Sequence, residues 1–431
     1  MKQATEKVSF EPVNAIREVF SYIKRFKNKV FVIHIDDSLR ESNLFPVLMK
    51  DIVELHNVGV KIVIIPGTRD TINKHLDQYA IKTHMHSGIR VTTEEALPMV
   101  KLAAMEVIQD IISHLAANGG KGLMGNWVKA RSMGVVDGID YQYTGVVEKV
   151  SSKIILNLID DGFIPVLSSL GWNSTGASYN VNSNVLLLRI CEDLDVAKVF
   201  YVSTTDGISS DNLELRDDIE VRKNGVISSL TLEQAQNVLD DNDNSSLARV
   251  QTELSEAIAI CQNNVNRVHF ISGLRQGAIL QEVFSSLGGG TMVFNNKYYA
   301  IRKATLTDVP DLLKLMEYYV KKGYLVARTE EDIALSIDDY YVYEVDGRIH
   351  GSGALHSLEQ GKAEVAAIAV DKTYRSKGIG GDMLEFIIQE STKQGLQELY
   401  LLTTQARDWF YEFGFENATV DDLPHVKMQN Y

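Results

Sequence analysis

Short β-branched runs alternate with longer stretches of helical spacing from residue 31 to about residue 270, and this alternation limits the possible folds more than any other feature. The predicted buried strands are Phe31–Ile35, Lys61–Ile65, Phe163–Leu167, Lys198–Val202 and Arg267–Ile271. The predicted helices between them are Leu44–Asn57, Glu94–Asn118, Lys149–Asp160 and Ala248–Asn263. Strands that alternate with helices form parallel βαβ units with helices on both sheet faces. The sequence therefore predicts an α/β fold, a three-layer αβα domain.

A glycine cluster at 288–290, followed by the polar segment Asn295–Lys297, marks a domain boundary. We predict a first domain over residues 1–292 with a leading amphipathic helix at 13–29, a linker at 293–298, and a smaller α/β domain over 299–431. The elements predicted for the second domain are helix Pro310–Lys321, strands Tyr341–Val345, Ile349–His356 and Lys362–Val370, helix Gly380–Gln394 and strand Glu398–Leu402.

Charge and composition narrow the class of partner. The formal charge of −14 argues against bulk attraction to nucleic acid or anionic lipid, although a local basic pocket could still hold a phosphate. The longest apolar runs are far shorter than the roughly 18 residues that span a bilayer, and no hydrophobic signal core follows the N-terminus. Cys191 and Cys261 are too few for a disulfide framework and lack zinc spacing. We expect a cytoplasmic protein without a metal, and with neither nucleic acid nor membrane as partner.

The sharpest local signal is the basic glycine turn between Val370 and Gly381, which follows a predicted strand and opens a helix. Glycine lets backbone N–H groups approach an anion, and the helix N-terminus adds partial positive charge. Lys372, Arg375 and Lys377 make the turn locally positive. The pattern indicates a pyrophosphate site, with a turn that merely requires glycine as the alternative.

The motif Arg375-x-x-Gly378-x-Gly380, with the preceding strand and the aromatic segment Trp409–Phe415, resembles the acetyl-coenzyme A loop of the GNAT acetyltransferases. The resemblance covers residues 299–431 and implies acetyl-coenzyme A as cosubstrate. It also implies that the strand before the loop splays from its neighbour and holds the pantetheine arm with its backbone. The implied coenzyme A contacts are Ile368, Ala369, Val370, Arg375, Ser376, Lys377, Gly378, Ile379, Gly380 and Gly381.

Acyl transfer to an amine requires a base for the ammonium proton, donors for the oxyanion and often an acid for the leaving sulfur. Glu364 lies where related enzymes often carry the base, and a solvent-facing strand glutamate is the alternative. The position where many GNAT enzymes carry a tyrosine acid is Phe410 here, and Tyr411 is one residue away. Thr403 and Thr404 are the hydroxyl candidates, each with a structural role as the alternative.

The first domain resembles the amino-acid kinase fold, in particular its acetylglutamate kinase branch, over roughly residues 30–292. The matching segments are Ser87–Thr92, Tyr179–Asn184, Thr204–Ile208 and Asn266–Ile271. A working kinase of that type has lysine and glycines after the first strand and a glycine run after the second. Here those places read His34–Asp37 and Pro66–Arg69, and Asp36 and Asp37 would repel phosphates. We expect no ATP-dependent activity.

A degenerate amino-acid kinase domain ahead of a GNAT domain resembles the bacterial N-acetylglutamate synthases, over nearly the whole chain. The family-specific matches are Val13–Val32, Gly277–Met292, Gly323–Arg328 and Leu401–Thr404. The resemblance implies L-glutamate as acceptor, with Leu325 and Arg328 in its pocket, because the arginine fork matches a carboxylate. It also implies an L-arginine effector site near Tyr22, Glu282, Gly288 and Thr291, and a homo-oligomer, which is often a hexamer in that family. For Glu282 the alternative is a surface carboxylate, and for Gly288 a linker residue.

Other functions remain open on sequence grounds. Family members usually continue into a basic tail that helps to hold glutamate, whereas this sequence ends at Tyr431. Arg407 and Lys427 are the candidate substitutes for that tail, and nothing local favours either. One alternative is an acetyltransferase for another amino acid, and a second is a non-catalytic sensor of arginine and coenzyme A. An active acetylglutamate kinase is a third alternative, which the two aspartates disfavour.

Overall fold

The computed structural model describes residues 19–418 except 21, 25, 87, 217, 243–246, 264, 285–287, 296–298, 346–347, 359–360, 373–377 and 404–405. The chain divides into two compact units, residues 1–296 and 297–431. None of the helices within these described residues has the length and apolar character needed to cross a membrane. Residues 19, 20, 22–24 and 26 of the predicted leading helix are helical.

A six-stranded sheet forms the centre of the first unit, in the order β14-β16-β15-β13-β1-β2. Its strands are β1 (Val30–Ile35), β2 (Lys61–Pro66), β13 (Val196–Ser203), β14 (Ser229–Thr231), β15 (Arg267–Ser272) and β16 (Thr291–Phe294). The pairs β2·β1, β1·β13, β13·β15 and β14·β16 are parallel, and β16 runs antiparallel to β15. β16 carries this sheet two residues past the predicted boundary at Met292.

Helices cover both faces of this sheet, so its strands are apolar on both sides. Val32 and Val63 lie in one core cluster, whereas Phe31 and Ile33 lie in the cluster on the other face. The helices are α1 (Phe45–Asn57), α2 (Arg69–Gln78), α3 (Leu97–Ala117), α4 (Ser152–Asp160), α5 (Ser183–Asp193), α6 (Leu232–Asp241), α7 (Ala248–Gln262) and α8 (Ala278–Phe284). The predicted three-layer α/β arrangement is confirmed.

A closed barrel of four short strands was not predicted. In chain order the remaining strands of the first unit are β3 (Met85–His86), β4 (Ile89–Arg90), β5 (Gly122–Leu123), β6 (Val128–Ser132), β7 (Val135–Val136), β8 (Ile139–Asp140), β9 (Thr144–Val150), β10 (Ile164–Pro165), β11 (Leu170–Trp172) and β12 (Ser178–Val181). The barrel comprises β11, β12, β9 and β6. Assigning Lys149 and Val150 to a helix was wrong, because they end the β-branched strand β9. The strand predicted at Phe163–Leu167 is limited to Ile164–Pro165.

The second unit contains a five-stranded sheet in the order β17-β18-β19-β20-β21. Its strands are β17 (Tyr299–Lys303), β18 (Tyr340–Val345), β19 (Arg348–Ser357), β20 (Lys362–Val370) and β21 (Glu398–Tyr400), and its helices are α9 (Val309–Lys321), α10 (Glu330–Leu335), α11 (Ile379–Lys393) and α12 (Arg407–Tyr411). All pairs are antiparallel except β20·β21, which is parallel. One core cluster packs α11 on the sheet, and another packs α9.

Candidate functional site

Strand β20 contains a β-bulge. Ala366 pairs with Ala354, but the next cross-strand pair is Ala369 with Ser352, so β20 has one extra residue. Ala367, within the bulge, has φ 53°, in the left-handed region that a residue with a Cβ rarely adopts. Before the bulge Val365 packs in the α11 cluster, whereas Ala367 packs in the α9 cluster. A bulge re-aims side chains and removes backbone groups from the ladder, as is common beside active sites.

The edge of β20 separates from β21 beyond Glu364. Their register runs from Lys362 with Glu398 to Glu364 with Tyr400 and stops there in the described residues, although β20 continues to Val370. The unpaired edge therefore presents backbone donors and acceptors, which can pair with an extended amide chain. At its end the Tyr319 hydroxyl of α9 accepts from Val370 N at 3.2 Å and donates to Val370 O at 2.7 Å. Ile368 and Ala369, predicted coenzyme A contacts, lie on this edge.

Helix α11 begins directly after the glycine turn. Its N-cap is Gly378 with φ 75°, a conformation that favours glycine. A Cβ on Gly380 would lie 3.5 Å from Trp409, and one on Gly381 would lie 3.3 Å from Phe413, so the aromatic segment packs over both. Ile379 is buried against the sheet. The other predicted contacts in this turn, Arg375, Ser376 and Lys377, lie outside the described residues.

Glu364 lies on the α9 side of the sheet and is half-buried. His356 of β19 is its cross-strand neighbour on one side and Tyr400 of β21 on the other. Directly opposite residues have Cβ atoms about 5 Å apart, so these three side chains are in one patch. His356 Nδ1 donates to Asp339 Oδ2 at 2.8 Å, and its ring lies edge-on to Tyr340 at 5.8 Å. The sequence drew attention to Glu364 but not to its neighbours.

The residues considered as the acid for the leaving sulfur differ in burial and in hydrogen bonding. Thr403 is exposed, and its Oγ1 accepts from Ala406 N at 3.1 Å, while Thr404 lies outside the described residues. Phe410 is buried in the α11 cluster. The exposed Tyr411 accepts a hydrogen bond from Arg407 Nε at 2.6 Å. The side chain of Arg407 is thus held on α12.

Arg328 lines a cavity of about 340 Å³ between α9 and residues 326–328. Its Nη1 is buried and has no hydrogen-bond partner among the described residues. A buried guanidinium N–H without a partner is costly, so a ligand carboxylate would satisfy it. Leu325, the other residue predicted in the acceptor pocket, packs beside Tyr319 at the edge of the α9 cluster.

The residues predicted to form the L-arginine effector site lie in the first unit. Glu282 of α8 is buried and accepts from His269 Nδ1 at 2.8 Å and Gly289 N at 2.7 Å. Burial alone would raise the pKa of Glu282, but the hydrogen bonds from His269 and Gly289 hold it below its usual range. A Cβ on Gly288 would lie 2.7 Å from the Glu282 carboxylate, so only glycine fits there.

Two further residues predicted near the L-arginine site, Tyr22 and Thr291, lie in the same unit. Tyr22 is buried, stacks on Phe26 at 6.1 Å and meets Phe284 of α8 edge-on at 6.5 Å. Thr291 Oγ1 accepts from Ile208 N at 2.9 Å and donates to Ile227 O at 2.6 Å. Thr291 therefore holds the strand that follows the glycines, while the ring of Tyr22 joins the leading helix to α8.

The carboxyl ends of β1 and β2 carry three aspartates. One carboxylate oxygen from each of Asp36, Asp37 and Asp70 lies within 4.8 Å of the others. Burial, and then the charges of Asp37 and Asp36, raise the pKa of Asp70. Asp37 accepts from Thr71 N at 2.8 Å and so caps α2. Negative charge at these strand ends disfavours transferring phosphates.

The whole chain matches known acetyltransferases. It matches the Amino acid kinase family over residues 29–272 and the Acetyltransferase (GNAT) domain over residues 336–417. The amino-acid acetyltransferase of Pasteurella multocida (strain Pm70) is 32% identical over 429 residues, which cover 98% of this chain and 96% of that protein. The amino-acid acetyltransferase of Escherichia coli (strain K12) is 29% identical over 436 residues, covering 98% and 95%.

Solved structures agree with these matches. The N-acetylglutamate synthase of Neisseria gonorrhoeae complexed with coenzyme A and L-arginine has a TM-score of 0.82 at 27% identity, covering 97% of this chain and 96% of that chain. The same protein complexed with coenzyme A and N-acetyl-glutamate has a TM-score of 0.62. Fold and site thus define a protein in which an acyltransferase unit follows a kinase-like unit along the chain. The chain belongs to the amino-acid acetyltransferase family.

Proposed function

We propose that the protein transfers the acetyl group of acetyl-coenzyme A to the α-amino group of L-glutamate, which makes it an N-acetylglutamate synthase of arginine biosynthesis. The observation that carries the proposal is the separation of β20 from β21 beside Glu364. In this proposal the extended pantetheine arm pairs with the edge of β20 beyond Glu364, and the thioester then lies next to the Glu364 carboxylate. The Neisseria gonorrhoeae protein, complexed with coenzyme A and N-acetyl-glutamate, supports glutamate as acceptor.

In the proposed reaction Glu364 accepts the ammonium proton, directly or through water, and frees the amine lone pair. The amine nitrogen then attacks the thioester carbonyl, the C–S bond breaks, and the coenzyme A thiolate leaves and takes up a proton. Backbone groups turned out of the ladder by the bulge at Ala367 lie beside the reacting carbonyl. Thr403 and Thr404 give polar support. The turn at 375–381 holds the pyrophosphate at the start of α11.

Arg328 is proposed to bind one carboxylate of glutamate. The buried, unpaired Nη1 supports this role, because the fork of a guanidinium matches a carboxylate in two places. Arg328→Lys keeps the charge but loses the fork, and we expect the KM for glutamate to rise about 10-fold or more while the KM for acetyl-coenzyme A changes little. An unchanged KM for glutamate would remove Arg328 from the pocket.

The proposed reaction is tested by thiol release from acetyl-coenzyme A over a panel of amino acids. We expect the highest kcat/KM with L-glutamate and N-acetylglutamate as product. Turnover with a different amino acid and none with glutamate would favour another acceptor. Coenzyme A binding without turnover on any amino acid would favour the sensor function.

We further propose that L-arginine binds between the leading helix, α8 and the segment at 288–291, and regulates the transferase. The buried carboxylate of Glu282 and the nearby ring of Tyr22 support a guanidinium site. Since arginine regulates only by binding two states unequally, its effect must appear in both stability and rate. We expect arginine to raise the unfolding temperature and to change thiol release, and Glu282→Gln and Tyr22→Ala to abolish both. If these variants respond to arginine as the wild type does, arginine binds at a different site.

We propose a homo-oligomer that functions in the cytoplasm, with the hexamer as the form that the family resemblance implies. An apolar groove on α3 includes the exposed side chains of Leu102 and Met124 and supports contact between copies of the first unit. Light scattering after size-exclusion chromatography measures the state. We expect an oligomer that Leu102→Glu weakens, and a wild-type monomer would contradict the assembly.

A further inference from the structure

A histidine held by a hydrogen bond, His356, lies beside Glu364, the proposed base. His356 lies directly across from Glu364, and its Nδ1 is 2.8 Å from Asp339 Oδ2. An ionised carboxylate only accepts, so the proton of this bond is on Nδ1. The His356 side chain retains 21% of its exposure, so part of it remains open to a ligand. Of its two ring nitrogens, Nε2 is the one that Asp339 does not engage.

His356 and Arg328 flank the same region of the second unit. Tyr340 connects them: its ring lies 5.8 Å from that of His356, and the charge of Arg328 opposes the effect of burial, which raises the pKa of Tyr340. Tyr340 itself is fully buried. Arg328 and His356 therefore both lie near Tyr340, and Glu364 is the cross-strand neighbour of His356.

The charges of a dicarboxylate acceptor call for a further cation here. Its two carboxylates would join Glu364 and Asp339, whereas the described residues supply Arg328 and the exposed Lys314 at the cavity, with the substrate ammonium beside them. Other cations nearby have partners already: Lys362 Nζ lies 2.8 Å from Glu398 and from the Tyr400 hydroxyl, and Lys372 stacks over Tyr318. With Nδ1–H given to Asp339, a proton on Nε2 makes His356 an imidazolium that is balanced by Asp339 and can donate to a carboxylate.

We propose that His356, oriented by Asp339, binds the side-chain carboxylate of the acceptor and makes the enzyme prefer glutamate to its neutral analogue glutamine. The proposal rests on the proposed function, since it assumes an acidic acceptor beside Glu364. His356 is a specificity-determining residue in this account, and Asp339 is a positioning residue. A site built for a charged group discriminates strongly against the analogue that lacks it, because the buried partner is left unpaired.

The test is the ratio of kcat/KM for glutamate to that for glutamine, measured by thiol release. In His356→Gln we expect the value for glutamate to fall about 10- to 100-fold, mainly through KM, and the value for glutamine to change less than about 3-fold. The KM for acetyl-coenzyme A should not move. Asp339→Asn should reduce the ratio in the same direction, and His356→Lys should restore most of it, since lysine supplies the charge.

The matched control is Lys303→Gln, which removes an exposed cation from β17, the edge strand on the opposite side of the sheet from β21. We expect its glutamate to glutamine ratio to equal that of the wild type. An unchanged ratio in His356→Gln overturns the proposal, as does a fall in kcat alone, which would indicate proton transfer. If the wild-type enzyme shows no turnover with glutamate, the proposed function is wrong. If the wild type prefers glutamate and His356→Gln keeps the same preference, only the role of His356 is wrong.

Discussion

The strand ends of the first unit and the edge of β20 in the second unit are both suited by fold to hold a phosphate-bearing ligand, yet their chemistry differs. The carboxyl ends of β1 and β2 carry Asp36, Asp37 and Asp70, whereas β20 leads through a basic turn to Gly378 and the start of α11. Negative charge repels phosphates and glycine exposes donors to them. Two sites in one chain can thus differ in charge, and function must be argued from the site and not from the fold.

The two regions also contain a buried or half-buried glutamate each. Glu256 of α7 accepts from Asn184 Nδ2 at 2.6 Å, and burial raises its pKa to about 7 despite that bond. Glu364 lies beside the unpaired edge of β20. Glu256 is bonded within the first unit, whereas the proposed function places the acceptor beside Glu364. The predictions below separate these roles.

The largest expected effect is on turnover, in Glu364→Gln. We expect kcat to fall by about 10²- to 10⁴-fold, because the glutamine amide cannot accept the ammonium proton. The dissociation constant of acetyl-coenzyme A, measured by calorimetry, should stay within about 2-fold. Glu398→Gln, on the adjacent strand β21, is the control and should keep near-normal kcat. Equal kcat in the two variants would remove Glu364 from its role as base.

The next effect is on stability, in Glu256→Gln. The folded-state pKa of Glu256 is about 7, above its ordinary 4.5, so the folded protein binds a proton that the unfolded chain releases. The stability from this proton is full below pH 4.5 and is lost as pH rises through about 7, roughly 2–3 kcal/mol in all.

Unfolding midpoints between pH 4 and 8 measure this loss. Relative to wild type, Glu256→Gln should gain stability progressively as pH rises, while thiol release stays normal. The opposite contribution of His34, whose pKa burial lowers to about 4, cancels in the difference. A difference that does not vary with pH would contradict the enclosed carboxylate, and the exposed Glu233→Gln serves as control.

A smaller effect is expected at the bulge. Ala367→Gly removes a Cβ from a residue at φ 53° and should stabilise the second unit by about 1 kcal/mol, while Ala367→Val should destabilise it. Urea denaturation measures both. In the proposed function the bulge shapes the edge that binds pantetheine, so the valine variant should also raise the KM for acetyl-coenzyme A. Destabilisation by glycine would show that the backbone there is not left-handed.

The smallest effect is expected at the aspartate cluster. Asp70→Asn relieves repulsion from Asp36 and Asp37, and since the raised pKa of Asp70 costs stability as pH rises, the gain should be larger at pH 8 than at pH 4. It should not exceed about 0.5 kcal/mol, because Asp70 is mostly exposed to solvent. Thiol release should be unchanged. A change in acetyl transfer would link the strand ends to the transferase.

The sequence predicted those features that local pattern determines. Strand β20 has the predicted bounds, Lys362–Val370, because a continuous apolar run of that length ends at a turn. The barrel strands escaped prediction because they are short and mixed in polarity, as Val128–Ser132 is. Neither the pairing of His356 with Glu364 nor the bond to Asp339 has a local signal. Cross-strand register depends on the bulge at Ala367, which nothing in the sequence marks.

The measurement that tests the central claim most directly is a pair of parallel assays on the intact protein, each with the substrates of one candidate reaction. One arm contains acetyl-coenzyme A and L-glutamate and monitors thiol release, and the other contains ATP and N-acetylglutamate and monitors ADP. We predict glutamate-dependent thiol release with one N-acetylglutamate formed for each thiol, and no ADP above background. ADP formation without glutamate-dependent thiol release would show that the strand ends of the first unit, and not the edge of β20, are the working site.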